Sequence, residues 1–145
     1  MFQVRAPQTQ SELNDYYELR WRILRAPWQQ PPGSERDQQD DDAVHAMALN
    51  DNEDIVGVAR LHQIDKTTAQ IRYMAVAEHC QHKGVGEALL RYLEEKAKTL
   101  GVRIIKLNAR EKSVGFYTKL GYQITGPGHV LYGEIKHHKM EKRFA

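Results

Sequence analysis

Between Val76 and Val85 the spacing of apolar residues changes, and it changes across two glycines. Upstream, Ile55, Gly57, Ala59 and Leu61 alternate with more polar neighbours, the period of a strand. Downstream, Val85, Ala88, Leu89, Tyr92, Leu93, Ala97 and Leu100 share one face of a helix. Glu87, Arg91, Glu94 and Lys98 fall on the other face, and Gly101 is the expected stop. A chain that switches period here must mix strands and helices, with a tight strand-to-helix junction at Gln81–Gly86.

The remaining elements can be placed around that junction. A short strand is expected over Phe2–Ala6. Thr9 and Glu12 then have capping-box spacing before a helix of about Ser11–Leu24. Pro27, Pro31 and Pro32 make Ala26–Gly33 a loop or a break between two helices. Ala43–Asn50, Ile55–Ile64 and Thr68–Val76, joined by short polar turns, predict an antiparallel meander. A strand over Val102–Asn108, a helix over Lys112–Leu120 and strands over Tyr122–Thr125 and Leu131–Met140 follow, the last two meeting at a Gly126-Pro127-Gly128 turn. The fold class is α/β (an α+β mixed sheet) in the order β-α-α-β-β-β-α-β-α-β-β, and 145 residues suit a single domain, 1–145.

Composition narrows the functions. With 21 Lys and Arg against 19 Asp and Glu, net charge is +2, and the basic residues form no stripe beyond a short Lys136–Arg143 tail, so a nucleic-acid partner is not expected. No apolar run reaches the ~20 residues of a membrane span, and the first residues carry no secretory pattern. Cys80 is the lone cysteine, which fits a reducing compartment. A cytoplasmic protein with no membrane partner is expected. His79-Cys80-x-His82 and His137-His138 lack a second pair at structural spacing, so no metal is expected.

The junction carries the chemistry. Gly84 and Gly86 allow close backbone approach, and the unpaired first-turn N–H groups of the helix favour an anion. Lys83 adds charge. A P-loop needs Gly-x-x-x-x-Gly-Lys-[Ser/Thr], which is absent. A dinucleotide fingerprint needs a small residue where Leu89 stands and an acid where Asn108 stands. What matches is Gln81-x-x-Gly84-x-Gly86, preceded by Met74-Ala75-Val76. It is followed by Leu107-Asn108-Ala109-Arg110-Glu111 and Phe116-Tyr117-Thr118-Lys119-Leu120-Gly121-Tyr122. These segments resemble, in order and spacing, two motifs of the GNAT superfamily of acyl-CoA-dependent N-acetyltransferases. Leu24-Arg25-Ala26-Pro27-Trp28 through Gly33-Ser34-Glu35 resembles a bacterial branch of it.

The resemblance implies a GNAT-like fold, acetyl-CoA (CoA) as co-substrate, and acetyl transfer to a primary amine of a small molecule or protein. It implies that backbone N–H groups of Gln81, His82, Lys83, Gly84, Val85 and Gly86 hold the CoA pyrophosphate. Met74 and Val76 would lie on a splayed strand whose backbone pairs with the pantetheine arm. Asn108 is either a contact from the far side of the splay or a turn-forming strand end. Tyr117 is the implied catalytic residue, donating to the departing thiolate. Gln70 occupies the position where some family members carry a base glutamate. Glu78, Glu111, Glu134, His138 and a water chain remain open as bases. Asp37 and Asp40–Asp42 are candidates for drawing a cationic amine to the acceptor wall, or else form a solvated loop. Two further readings stay open: a non-catalytic CoA-binding sensor or interaction module, and transfer of a bulkier acyl group. The C-terminal strands offer an edge for a homodimer.

Overall fold

The computed structural model describes residues 2–144. In chain order the elements are β1 (Gln3–Arg5), α1 (Gln10–Leu24), β2 (Val44–Leu49), β3 (Ile55–Gln63), β4 (Thr68–Val76), α2 (Val85–Thr99), β5 (Ile104–Arg110), α3 (Val114–Lys119), β6 (Gln123–Leu131) and β7 (Ile135–Arg143). The strands form one sheet in the order β1-β2-β3-β4-β5-β7-β6. The expected meander is present as antiparallel β2, β3 and β4, and α2 carries the chain across so that β5 joins β4 in parallel.

Capping starts α1 as the sequence suggests, with Thr9 Oγ1 accepting the Glu12 N–H at 3.1 Å. Glu12 does not complete the reciprocal bond. Its carboxylate accepts from the Gln8 N–H at 2.8 Å and from Arg5, fastening β1 to the helix. The second helix expected after Leu24 is absent. Only two 3₁₀ turns form, Ala26–Trp28 and Gln38–Asp41. Pro27, Pro31 and Pro32 lack the N–H groups that an α-helical run between them would need.

The two long helices cover opposite faces of the sheet. An added Cβ at Gly57 would lie 2.6 Å from Val85 Cγ1 and 3.0 Å from Leu89 Cδ1, so β3 meets α2 there at near backbone contact. Arg60, of opposite parity, reaches Asp40, which also binds Arg20 of α1. Glu94 was expected on the solvent face of α2 but is buried. It accepts from the Tyr122 hydroxyl at 3.0 Å and from Lys142 Nζ at 3.2 Å, tying α2 to the end of α3 and to β7. The buried face of α2 is turned from the expected one, taking in Leu90 and, one turn on, Glu94.

The C-terminal turn also differs from expectation. Gly126-Pro127-Gly128 lies within β6, and the chain reverses at residues 132–134. Tyr132 (φ 53°) and Gly133 (φ 71°) supply consecutive left-handed residues, the backbone that a tight hairpin demands. The Gly-Pro-Gly segment instead forms bulges on an edge strand, where a missing N–H is tolerated. A Cβ on Gly128 would sit 2.9 Å from the His137 carbonyl, so this crossing needs glycine. No helix among the described residues is long and apolar enough to cross a membrane.

Candidate active site

β4 and β5 are neighbours for only part of their length. Pairing runs from Thr68 with Ile104 to Ile71 with Leu107 and then stops. On its other edge β4 stays paired to β3 as far as Val76, but with a bulge. Val58 faces Ala75 and Arg60 faces Arg72, so Ala59 alone opposes Tyr73 and Met74. Tyr73 carries the bulge in a left-handed conformation, φ 61°, uncommon for an aromatic residue. The bulge bends β4 away from β5 and opens a V-shaped gap. The Ala77 N–H bonds to the Val56 carbonyl at 2.8 Å, so by strand alternation the backbone groups of Val76 and Met74 turn into the gap. Asn108 is the first β5 residue past the last pair, exposed at the rim of the gap.

The glycine loop stands at the mouth of the same gap. Gln81 lies beneath it, its side-chain Nε2 donating to the Val76 carbonyl at 3.2 Å. His82 (φ 65°) and Gly84 (φ 89°) bracket Lys83 with left-handed backbone, and Gly84 is the N-cap of α2. Among the described residues the N–H groups of His82, Lys83, Gly84, Val85 and Gly86 have no acceptor within the chain. The Val85 side chain is buried against β3, so only its backbone is offered. A Cβ at Gly86 would lie 3.1 Å from the Phe116 ring and 3.6 Å from Met74 Sδ, so glycine there lets α2, α3 and β4 converge. The result is a run of outward amides at a helix N-terminus, the geometry that binds phosphate.

Deeper in the gap is an open cleft of about 160 Å³, whose lining includes Met74, Asn108, Ser113 and Tyr117 together with Arg25, Tyr73, Arg110, His129 and His137. Tyr117 is buried, its ring edge-on to Phe116 and Tyr122. Its hydroxyl donates to Met74 Sδ at 3.7 Å, a weak acceptor that a stronger one entering the cleft would displace. Burial pushes its pKa up to about 12, with the Arg110 charge pulling the other way. His137 Nδ1 lies 3.0 Å from the Ile135 carbonyl and 3.2 Å from the His129 carbonyl. Both partners only accept, so Nδ1 carries the proton and Nε2 keeps the lone pair. Burial, the neighbouring His129 and the Arg110 charge hold His137 below the usual histidine pKa, which keeps it neutral near pH 7.

The acidic segment behaves unlike either expectation. Asp40 is buried and accepts from Arg20 at 2.9 Å and Arg60 at 3.1 Å. Asp37 accepts from Arg60, from Arg72 at 3.3 Å and from the Tyr73 hydroxyl at 3.0 Å. Neither carboxylate is free to draw a cationic amine, and only Asp41 and Asp42 are exposed. Burial alone would raise the pKa of Asp37, but the bonds from Arg60 and Tyr73 and the charges of Arg60 and Arg72 outweigh it and hold the group at about 2. These pairs fix Tyr73 and with it the bulge. Nothing in the spacing of Arg20, Asp40 and Arg60 announces that they meet. Arg110 and His137 were likewise missed as site residues, although period two puts Arg110 on the same face of β5 as Asn108, and His137 is its cross-strand partner. Gln70 pairs across to His62 and Lys106, and Glu111 lies 3.6 Å from His138; neither lines the cleft. Among the described residues no three His, Cys, Asp or Glu side chains converge on a metal site.

A mixed sheet splayed beside an amide-lined helix start defines the acyl-CoA N-acyltransferase fold. The family model for the Acetyltransferase (GNAT) family matches residues 13–122, and the chain belongs to that family. "Uncharacterized N-acetyltransferase YjcF" of Bacillus subtilis (strain 168) is 27% identical over 135 residues, 93% of this chain and 95% of that protein. "Probable N-acetyltransferase 14" of Xenopus tropicalis is 32% identical over 84 residues, 55% of this chain; the aligned part is 41% of the frog protein's length. The crystal structure of a GNAT family acetyltransferase from Elizabethkingia anophelis with acetyl-CoA bound superimposes with a TM-score of 0.74 at 20% identity, covering 99% of this chain and 98% of that one.

Proposed function

We propose that this protein transfers an acetyl group from acetyl-CoA to a primary amine within the β4–β5 cleft. The observation that carries the reading is the alignment of three features along one gap. Free amides from His82 to Gly86 stand at its mouth, β4 backbone at Met74 and Val76 runs past the last pair with β5, and the Tyr117 hydroxyl lies at its depth. The amides of the loop hold the pyrophosphate. The arm of the cofactor runs along β4, with Asn108 across from it. The thioester then lies beside Met74 and Tyr117.

In that placement the neutral amine attacks the thioester carbonyl. A C–N bond forms, the C–S bond breaks, and the electron pair leaves with sulfur. With its pKa at about 12, Tyr117 is a poor proton donor. Full transfer to a thiolate of ordinary basicity, pKa about 8.5, would be uphill by about 5 kcal/mol. Tyr117 therefore acts by hydrogen-bonding the charge that develops on sulfur. The proton of the attacking amine goes to His137 Nε2, the free lone pair in the cleft. Gln70, Glu111 and His138 have no access to it.

The test is turnover of acetyl-CoA by the purified protein against a panel of amines, with cofactor binding followed calorimetrically. Tyr117→Phe is expected to lower kcat about 10- to 100-fold while leaving CoA affinity near wild type. His137→Gln is expected to lower kcat/KM by a similar factor near pH 7, with the deficit shrinking at higher pH as more amine arrives neutral. Absence of CoA binding by the wild-type protein would sink the reading. Tight binding with no transfer to any amine would favour a non-catalytic CoA-binding module.

A further inference from the structure

The lining of the cleft has an unusual charge balance. Arg25, Arg72, Arg110, His129 and His137 line it, and no Asp or Glu does. Arg72 is committed to Asp37. The other two arginines have no anionic partner. Arg25 gives two of its five N–H donors to backbone carbonyls, Ser34 at 3.2 Å and Leu24 at 3.2 Å, while Arg110 has neither a hydrogen bond nor an ion pair within the described chain. Arg110 is also half-buried. Removing a guanidinium from water with no counterion is unfavourable, and evolution's usual remedy is a paired carboxylate. Here the neighbours are other cations: burial first, and the nearby Arg25 charge second, disfavour the charged form of Arg110.

The surroundings locate this charge. Arg110 lies directly opposite His137 across β5 and β7, and the His129 ring stacks on His137 at 4.2 Å between centroids. Trp28 stacks on Tyr132 at 5.8 Å, joining the segment after α1 to the β6–β7 turn. Arg25, Arg110, His129 and His137 line the same cleft as Tyr117. None of the residues 81–86 that would hold the pyrophosphate lines the cleft. The cations are therefore separate from the loop that answers for the cofactor's phosphates.

We infer that the acceptor is an amine bearing an anionic group, a carboxylate or a phosphonate, which Arg110 and Arg25 bind so that its amine points at Tyr117 and the thioester. This rests on the acetyl-transfer reading above and names its substrate class. The arginine fork suits a planar or tetrahedral oxyanion bidentately, and such charge-assisted pairs are the strong ones. The same contact removes the unpaired charge that now depresses the basicity of His137, so a correctly charged acceptor would arrive at a better base than a neutral one.

The test compares matched acceptors with acetyl-CoA: amino acids and aminoalkylphosphonates against their neutral amides and the parent alkylamines, in wild type, Arg110→Gln and Arg110→Lys. The acids are expected to exceed their neutral counterparts in kcat/KM by about 10- to 100-fold in wild type. Arg110→Gln is expected to erase that preference through the acceptor KM, with the acetyl-CoA KM unchanged and Arg110→Lys partly restoring it. Equal or better use of neutral amines by the wild type would overturn the inference while leaving acetyl transfer standing. A rise in acetyl-CoA KM as large as that for the acceptor would also overturn it, by assigning the cations to the cofactor. If CoA binds but nothing in the panel is acetylated, titration of the CoA complex with the same acids decides. Perturbed His129 and His137 ring resonances in wild type, lost in Arg110→Gln, support the anion site; no perturbation by any acid overturns it.

Discussion

Asp40 shows how much one side chain decides here. It is the shared partner of two fully buried arginines, and its Oδ2 also accepts the Asp37 N–H at 2.8 Å, closing a capping box around the Gln38–Asp41 turn. The arrangement is near saturation, since only the Nε atoms of Arg20 and Arg60 lack partners among the buried side-chain atoms described. Replacing Asp40 by Asn keeps the shape but leaves Arg20 with no carboxylate partner and Arg60 with Asp37 alone, which Arg72 also uses. A loss of about 3–5 kcal/mol is expected, the usual result of breaking rather than replacing a buried pair. Chemical denaturation of Asp40→Asn against wild type checks this, and a change under about 1 kcal/mol would mean that the pair matters little. Three arginines around Tyr73 have a second role at this scale. Arg20, Arg60 and Arg72 stand 4.4, 4.7 and 4.5 Å from its ring and hold it in its left-handed conformation.

At the scale of elements, the cofactor loop depends on where α2 begins, and α2 is seated by its contact with β3. Gly57 is the contact point. A methyl added there would meet the stiff, β-branched Val85 at 2.6 Å, a distance that requires backbone movement. Val85 is the first residue of α2 and follows the N-cap Gly84, so any displacement is passed to the amides of the loop. Gly57→Ala is expected to cost about 1–3 kcal/mol, as overpacking does, and to weaken CoA binding although residue 57 touches no part of the cleft. Paired denaturation and calorimetric titration test both halves; destabilisation with unchanged CoA affinity would show that the loop is positioned independently of β3. The C-terminal hairpin makes a similar point. Its Gly-Pro-Gly motif reads locally as a turn, yet Tyr132 and Gly133 take the turn, and the motif becomes the bulged crossing over His137.

Across the whole molecule, the shifted histidines and carboxylates share a direction. His45, His62 and His137 are all held below the usual histidine pKa, with burial as the leading cause. The unfolded chain therefore takes up protons first as pH falls through about 6.5, and stability declines from there. Asp37 at about 2, with Asp40 and Asp65 also lowered, adds a second decline. Folded-state pKa values below the unfolded ones give stability that is full above about 4 and lost as pH drops toward 2. Denaturation midpoints at pH 8, 6 and 4 are expected to fall in that order. A protein equally stable at pH 8 and 5 would contradict the histidine assignments.

The sequence by itself determined the meander, the long helices and the family, though not the course of the chain after α1 or the C-terminal turn. Period two across β3, the helical face of α2, the glycines at 84 and 86, and the spacing to Tyr117 are local quantities. Local quantities are enough to specify a strand, a helix and an anion-ready junction. The tertiary structure alone decided the other half of the cleft. Arg25, Arg110 and His137 lie on three elements far apart in the chain, and no periodicity brings them together. The acidic run looked like a lure for a cationic amine because its charge is visible in sequence, but its partners, Arg20 and Arg60, are not. Once those pairs form, the carboxylates are neutralised beneath Tyr73, and the charge left facing the cleft is positive. Electrostatic character belongs to what remains unpaired after folding, and pairing is a property of three-dimensional proximity.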